Sequence, residues 1–101
     1  MKSNSKKSHK EDCVEKKVVI KNELGLHARP AALFVQTSSK FECEIFVKKQ
    51  KEDQEVNGKS IMGLMMLAAG PGTHLVLKAS GADAEDALSE LEKLIDSKFG
   101  E

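Results

Sequence analysis

From residue 17 onward the hydrophobic pattern switches between two periods. Lys17-Val18-Val19-Ile20-Lys21 sets Val18 and Ile20 to one side and Lys17, Val19 and Lys21 to the other, the two-residue period of a half-buried strand. Leu24-Gly25-Leu26 breaks that alternation, and residues 28–40 follow a helical period through Ala28, Ala31, Phe34, Val35 and Ser38. Alternation returns over 42–48, with Cys43, Ile45 and Val47 on one face and Glu44, Phe46 and Lys48 on the other. A charged loop at 49–53 then leads to a short strand at 54–57 that would close a hairpin with it. Residues 59–69 are apolar nearly all round behind Ser60, which stands where a helix N-cap belongs. Gly70-Pro71-Gly72 stops that helix, and Leu75, Leu77 and Ala79 alternate with His74, Val76 and Lys78 as a fourth strand. Asp83 opens a last helix, with Asp86 three residues on in the manner of a capping box and an apolar stripe of Ala84, Ala87, Leu88, Leu91, Leu94 and Ile95.

The order is strand, helix, strand, strand, helix, strand, helix. One four-stranded antiparallel sheet with the three helices on one face buries every one of these stripes, so the expected class is α+β, an open-faced β-sandwich of βαββαβα order. A chain of 101 residues is enough for one modest core. With no Trp or Tyr and four Phe, that core must be largely aliphatic. The expected division is a flexible polar tail at 1–16 and one domain at 17–101.

Charge and cysteine content narrow the function classes. Sixteen basic residues balance sixteen acidic ones, so the basic excess that nucleic-acid binding draws on is missing. Residues 1–17 hold six Lys against three acids, which leaves a weakly acidic body behind a basic, polar leader. That leader has no apolar stretch fit for a signal peptide or a membrane span, so no membrane insertion is expected. Cys13 and Cys43 have no metal-ligand spacing and no His cluster around them, which argues against a metal site or a disulfide framework. Cys43 reads as a small buried hydrophobe and fits a reducing cytoplasm.

The candidate chemistry sits at the start of the first helix. Pro30 is tolerated only in a first helical turn, which fixes His27 at or near the N-cap, after the flexible Gly25. The first-turn N–H groups lack intrahelical partners and carry the positive end of the helix dipole, so an anion held there is stabilised. A neutral imidazole is a competent nucleophile at physiological pH, and Arg29 adds a guanidinium fork for a transferring group. The same spacing also fits a His27 that only caps the helix and an Arg29 that is a solvated surface charge. No acid–base partner lies nearby in the sequence.

The stretch Leu24-Gly25-Leu26-His27-Ala28-Arg29-Pro30-Ala31-Ala32 resembles the active-site motif of the HPr family, the histidine phosphocarriers of the bacterial phosphoenolpyruvate-dependent phosphotransferase system. Asn57-Gly58-Lys59-Ser60-Ile61-Met62-Gly63-Leu64-Met65 resembles that family's regulatory serine region, and Ser80-Gly81-Ala82-Asp83-Ala84 the approach to its last helix. The resemblance implies that His27 takes a phosphoryl group on Nδ1 from phosphorylated enzyme I and donates it to an EIIA-type domain in sugar phosphotransfer. The chain would then be a cytoplasmic carrier and not a stand-alone catalyst, with no cofactor and with the monomer as its expected state. It also implies regulatory phosphorylation at Ser60, with HPr kinase/phosphorylase as a partner where the source organism has one. Three departures stand out: Leu24 replaces a small polar residue of the best-known sugar-system members, the 48–55 loop is about two residues longer, and the Lys-rich leader is extra. The first makes the motif similar to nitrogen-branch members, so a nitrogen-branch or mainly regulatory protein acting through partner binding is the alternative reading.

Ser60 also has a purely structural reading as an N-cap. Ile61, Met62 and Met65 crowd a helix too short to bury all its faces, and Leu33 is expected to emerge beside His27. Core packing accounts for such residues by default, and exposed Met and Leu near a reactive site equally suit a surface that docks several partners in turn.

Overall fold

A computed structural model describes residues 13–101. Its elements are β1 (Cys13–Val19), α1 (Ala28–Ser38), β2 (Glu44–Lys49), β3 (Val56–Asn57), α2 (Ile61–Met66), β4 (His74–Ser80) and α3 (Ala84–Asp96), followed by a 3-10 turn at Lys98–Gly100. The four strands form one antiparallel sheet in the order β1-β4-β2-β3, so the fold is the α+β open-faced arrangement that the alternating periods imply.

The inner face of the sheet carries Val18, Ile45, Val47, Leu75, Leu77 and Ala79, all buried. Against it lies the stripe of α3, in which Ala84, Ala87, Leu88, Leu91 and Ile95 are buried, while Phe34 and Ala31 of α1 and Leu64 of α2 complete the core. The period-two and period-3.6 patterns thus met on the surfaces they mark out.

β1 starts at Cys13, four residues before the alternation becomes visible at Lys17, and residues 13–16 of the expected tail pair with Ser80 to Leu77 of β4. Their polarity hides a strand: Val14 packs against the core, and Lys16 reaches Glu92 of α3 at 3.1 Å. Residues 1–12 of that tail lie outside the described residues. β3 is shorter than expected, two residues, because only Val56 and Asn57 meet partners on β2, and Gln54 and Glu55 have nothing apolar to bury. α2 ends at Met66 instead of continuing to Ala69, since Ala68 turns into the left-handed region (φ 53°).

Val76 was placed with the outward set by alternation and is nonetheless buried, at 5% exposure. It sits on the central strand between Lys17 of β1 and Lys48 of β2, whose aliphatic stems flank it.

Asp83 departs from the capping-box expectation. It is the N-cap of α3, but its side chain makes no cap bond. Its carboxylate instead accepts the N–H of Glu42 at 2.9 Å and of Cys43 at 3.0 Å, pinning the entry to β2 against the start of α3. Those bonds, that from Glu42 foremost, hold the Asp83 carboxyl below the usual carboxylate range. Burial, with Asp83 beside it, pushes the Cys43 thiol up to about 11, so Cys43 is a packing residue and no thiolate at neutral pH.

A carboxyl whose pKa falls on folding stabilises the fold above its ordinary range, and that contribution is lost as pH drops through the lowered value. Asp83→Ala is therefore expected to lower the melting temperature at neutral pH, with the gap to the parent closing as the pH is taken down through the carboxylate range. Thermal melts at stepped pH check this; a gap independent of pH would contradict it.

Candidate functional site

The site begins with a turn. After β1 the chain folds back through Asn22 O, which accepts the Gly25 N–H at 3.1 Å, and Gly25 O accepts the His27 N–H at 3.0 Å. Gly25 takes φ 69°, and a Cβ there would stand 2.2 Å from the Ala69 carbonyl oxygen. Only glycine allows that approach. It lets Leu26 donate its N–H to Ala69 O at 2.9 Å, which ties the start of α1 to the chain leaving α2.

His27 is the backbone N-cap of α1 (φ −80°, ψ −169°), where the sequence put it, and its side chain makes no cap bond. The ring is therefore not used to cap the helix. With Pro30 lacking an N–H, Ala28 and Arg29 supply the N–H groups of the first turn, free of intrahelical partners by helix geometry. The His27 side chain is 37% exposed and that of Arg29 57%, so both are open to a partner.

Glu101 was not singled out by the sequence, and it is the acidic neighbour that His27 lacks locally. Its Oε2 lies 3.2 Å from His27 Nε2 and accepts from Arg29 NH1 at 3.3 Å. Its Oε1 accepts from Asn22 Nδ2 at 3.2 Å, and the other Nδ2 hydrogen goes to Gly25 O at 2.7 Å. Arg29 NH1 also donates to Phe99 O at 3.3 Å.

Phe99 explains how Glu101 arrives. Lys98 (φ 60°) and Phe99 (φ 56°) are consecutive non-glycine residues in the left-handed region, each costing roughly 1–2 kcal/mol. Burying a Phe side chain recovers about 1.5–3 kcal/mol, and Phe99 is 1% exposed. The aromatic anchor thus offsets much of the backbone strain, and the turn brings Glu101 to the first turn of α1. In the sequence this is Ser-Lys-Phe-Gly after an amphipathic helix, and an isolated Phe past the end of a helical stripe was the one available signal.

α2 flanks the site. Ser60 Oγ accepts the Gly63 N–H at 3.0 Å, so the structural part of its reading, the N-cap, is present. Ile61, Met62 and Met65 are exposed, Met62 at 73%, and Met66 and Leu24 are exposed with them. Leu33 is only half-exposed, packed against the core edge. Met65, Leu24, Leu26, Ala68 and Gly70 line a shallow depression with His27, so an α2 methionine and the histidine share one surface. Among the described residues no group of three or more His, Cys, Asp or Glu could hold a metal ion, and no helix is long and apolar enough to cross a membrane.

Residues 14–97 match the family model described as the PTS HPr component phosphorylation site. The chain belongs to the HPr family. Phosphocarrier protein HPr of Neisseria meningitidis serogroup A is 50% identical over 88 residues, which is 87% of this chain and 97% of that protein. HPr-like protein Crh of Halalkalibacterium halodurans is 47% identical over 85 residues, 84% of this chain and 99% of its own. Among solved structures, that of HPr-C-His from Thermoanaerobacter tengcongensis superposes with a TM-score of 0.81 at 53% identity, covering 87% of this chain and 97% of that one. The HPr fold and the phosphotransferase-system family are thereby shown, and the family's proteins are phosphocarrier components.

The Gly25 contact generates a test within this HPr site. Gly25→Ala is expected to cost more than about 2 kcal/mol, from the left-handed φ and the clash with Ala69 O, and to shift the amide resonances of Leu26 and His27. Urea melts and amide spectra check it. A variant as stable as the parent with those resonances in place would show that the turn tolerates a Cβ.

Proposed function

We propose that the chain carries a phosphoryl group on His27, received from phosphorylated enzyme I and passed to an EIIA-type domain in sugar phosphotransfer, as a cytoplasmic monomer. The observation that carries this reading is an uncapped, partly exposed imidazole at the N-cap of α1, beside first-turn N–H groups and an exposed guanidinium. The ring is nucleophile and leaving group in turn. The N–H groups of Ala28 and Arg29, with the dipole of an 11-residue helix, stabilise the phosphoryl oxygens without any metal. Arg29 has five N–H donors and spends NH1 on Phe99 O and Glu101, both at 3.3 Å, so the rest of its fork is available to a transferring group.

Docking is assigned to the surface of Leu33, Ile61, Met62 and Met65, with Met66 and Leu24 added. It is apolar and built on flexible thioethers, which repack against partners of different shape. The regulatory arm of the same reading has Ser60, the N-cap of α2, phosphorylated. A dianion at Ser60 suits a helix start and, next to Ile61 and Met62, opposes docking by its charge. A purely regulatory protein would have no use for the imidazole and guanidinium at the α1 start, which is why transfer is put first. The choice between the sugar and nitrogen branches is read from which branch's EIIA domain accepts the phosphoryl group.

Incubation with enzyme I and labelled phosphoenolpyruvate is expected to put acid-labile, base-stable label on His27, none on His27→Ala, and to label Arg29→Ala and Ser60→Asp more slowly than the parent. Label surviving in His27→Ala would put the carrier elsewhere, and an undiminished rate in Ser60→Asp and in the kinase-phosphorylated protein would remove Ser60 from the regulation.

A further inference from the structure

Three of the four methionines of the chain fall within five residues on α2, at Met62, Met65 and Met66. The helix is held to the core by Leu64 and by Leu67 just after it, both buried, and none of the three thioethers belongs to that core. Met62 and Met66 stand at i and i+4, so they are neighbours on one ridge, 73% and 71% exposed. Ile61 and Met65 form the next ridge at 41% and 42%, and Met65 lines the depression that also holds His27. Leucine at these places would offer similar apolar area with no reactive atom. A thioether adds flexibility and, where solvent reaches it, a sulfur lone pair that peroxides oxidise.

We propose that Met62 and Met66 are sites of reversible oxidation by hydroperoxides, and that their sulfoxides weaken docking of the phosphoryl donor while leaving His27 competent. This rests on the carrier role of His27 and the docking role of α2. The sulfur lone pair attacks one oxygen of hydrogen peroxide, an S–O bond forms, and the O–O bond breaks. The departing hydroxide takes the proton of the transferred oxygen and becomes water. Sulfur is oxidised by two electrons and the peroxide is reduced by two. The new sulfoxide oxygen is polar and hydrated, so a partner that covers it with apolar surface must strip its water without returning a hydrogen bond. That loss falls on association. α2 keeps its place through Leu64 and Leu67, and the geometry at the start of α1 is untouched.

The test takes the full chain through a time course of hydrogen peroxide. Peptide mapping by mass spectrometry is expected to find one added oxygen on Met62 and on Met66 before Met65. Initial rates of phosphoryl acceptance from enzyme I and phosphoenolpyruvate, with the chain varied, should show KM for the chain raised about tenfold and kcat unchanged. Methionine sulfoxide reductases with a thiol reductant should restore KM, and the thiol alone should not. The double variant Met62→Leu, Met66→Leu should keep its own KM through the same treatment. The double variant Met62→Gln, Met66→Gln, polar at the same positions, should show a raised KM with no oxidant. Recovery by thiol alone would place the effect on the exposed Cys13 or on Cys43 and overturn the proposal, as would oxidation that starts at Met65. If the glutamine variant raises KM and the doubly oxidised parent does not, this inference alone falls. If neither moves KM, the docking role of α2 falls with it, and a parent that takes no label on His27 overturns the carrier reading as well.

Discussion

The carbonyl of Ala69 accepts the N–H of Leu26 at 2.9 Å, and Gly25 has no Cβ to hold the two backbones apart. That approach joins two helices that are far apart in sequence: it fixes where α1 begins and where the chain leaves α2. It anchors in space the N-cap that Pro30 sets at His27, and it brings His27 onto one surface with Met65 and Leu24. The early end of α2, with Ala68 in the left-handed region, is the matching distortion on the other side of the contact. Rigid elements thus present the His27 side chain from a loop held at both ends, the arrangement expected where geometry must be kept while the surface stays open.

Around that turn the polar groups form one connected set. Asn22 joins the turn to Glu101, Glu101 joins His27 to Arg29, and Arg29 joins the helix start to Phe99. Apart from the 2.7 Å bond from the buried Asn22 to Gly25 O, these bonds run at 3.2–3.3 Å and the imidazole, carboxylate and guanidinium are partly exposed, so they contribute modestly to stability. Its value lies in orientation. It leaves the first-turn N–H groups and most of the Arg29 fork unspent, and it turns Nε2 of the His27 ring toward Glu101.

The sheet, the three helices and the N-cap positions of His27 and Ser60 were legible because each depends on local information: a period, a proline that can occupy only a first turn, a hydroxyl before an apolar run. Where local signals are weak, the reading stopped short. Cys13 to Lys16 read as tail because a strand paired on an exposed face needs no apolar alternation, and only its register with β4 reveals it. Asp83 has the spacing of a capping box, but a carboxylate can be drawn to any free N–H, and the N–H groups of Glu42 and Cys43, forty residues away, outcompeted its own helix. Glu101 is 74 residues from His27, and nothing in the spacing of either announces the other; the link runs through Phe99, whose burial is a tertiary fact.

The central claim is that a phosphoryl group on His27 is held by the backbone at the start of α1. Amide spectra of the full chain before and after phosphorylation by the phosphorylated donor test it most directly. The N–H resonances of Ala28 and Arg29 should move strongly downfield as they take up hydrogen bonds to phosphoryl oxygens, while those of β2 and β3 stay in place. Phosphorylation that leaves Ala28 and Arg29 unmoved, or whose largest shifts fall outside the 22–31 segment, would contradict the account.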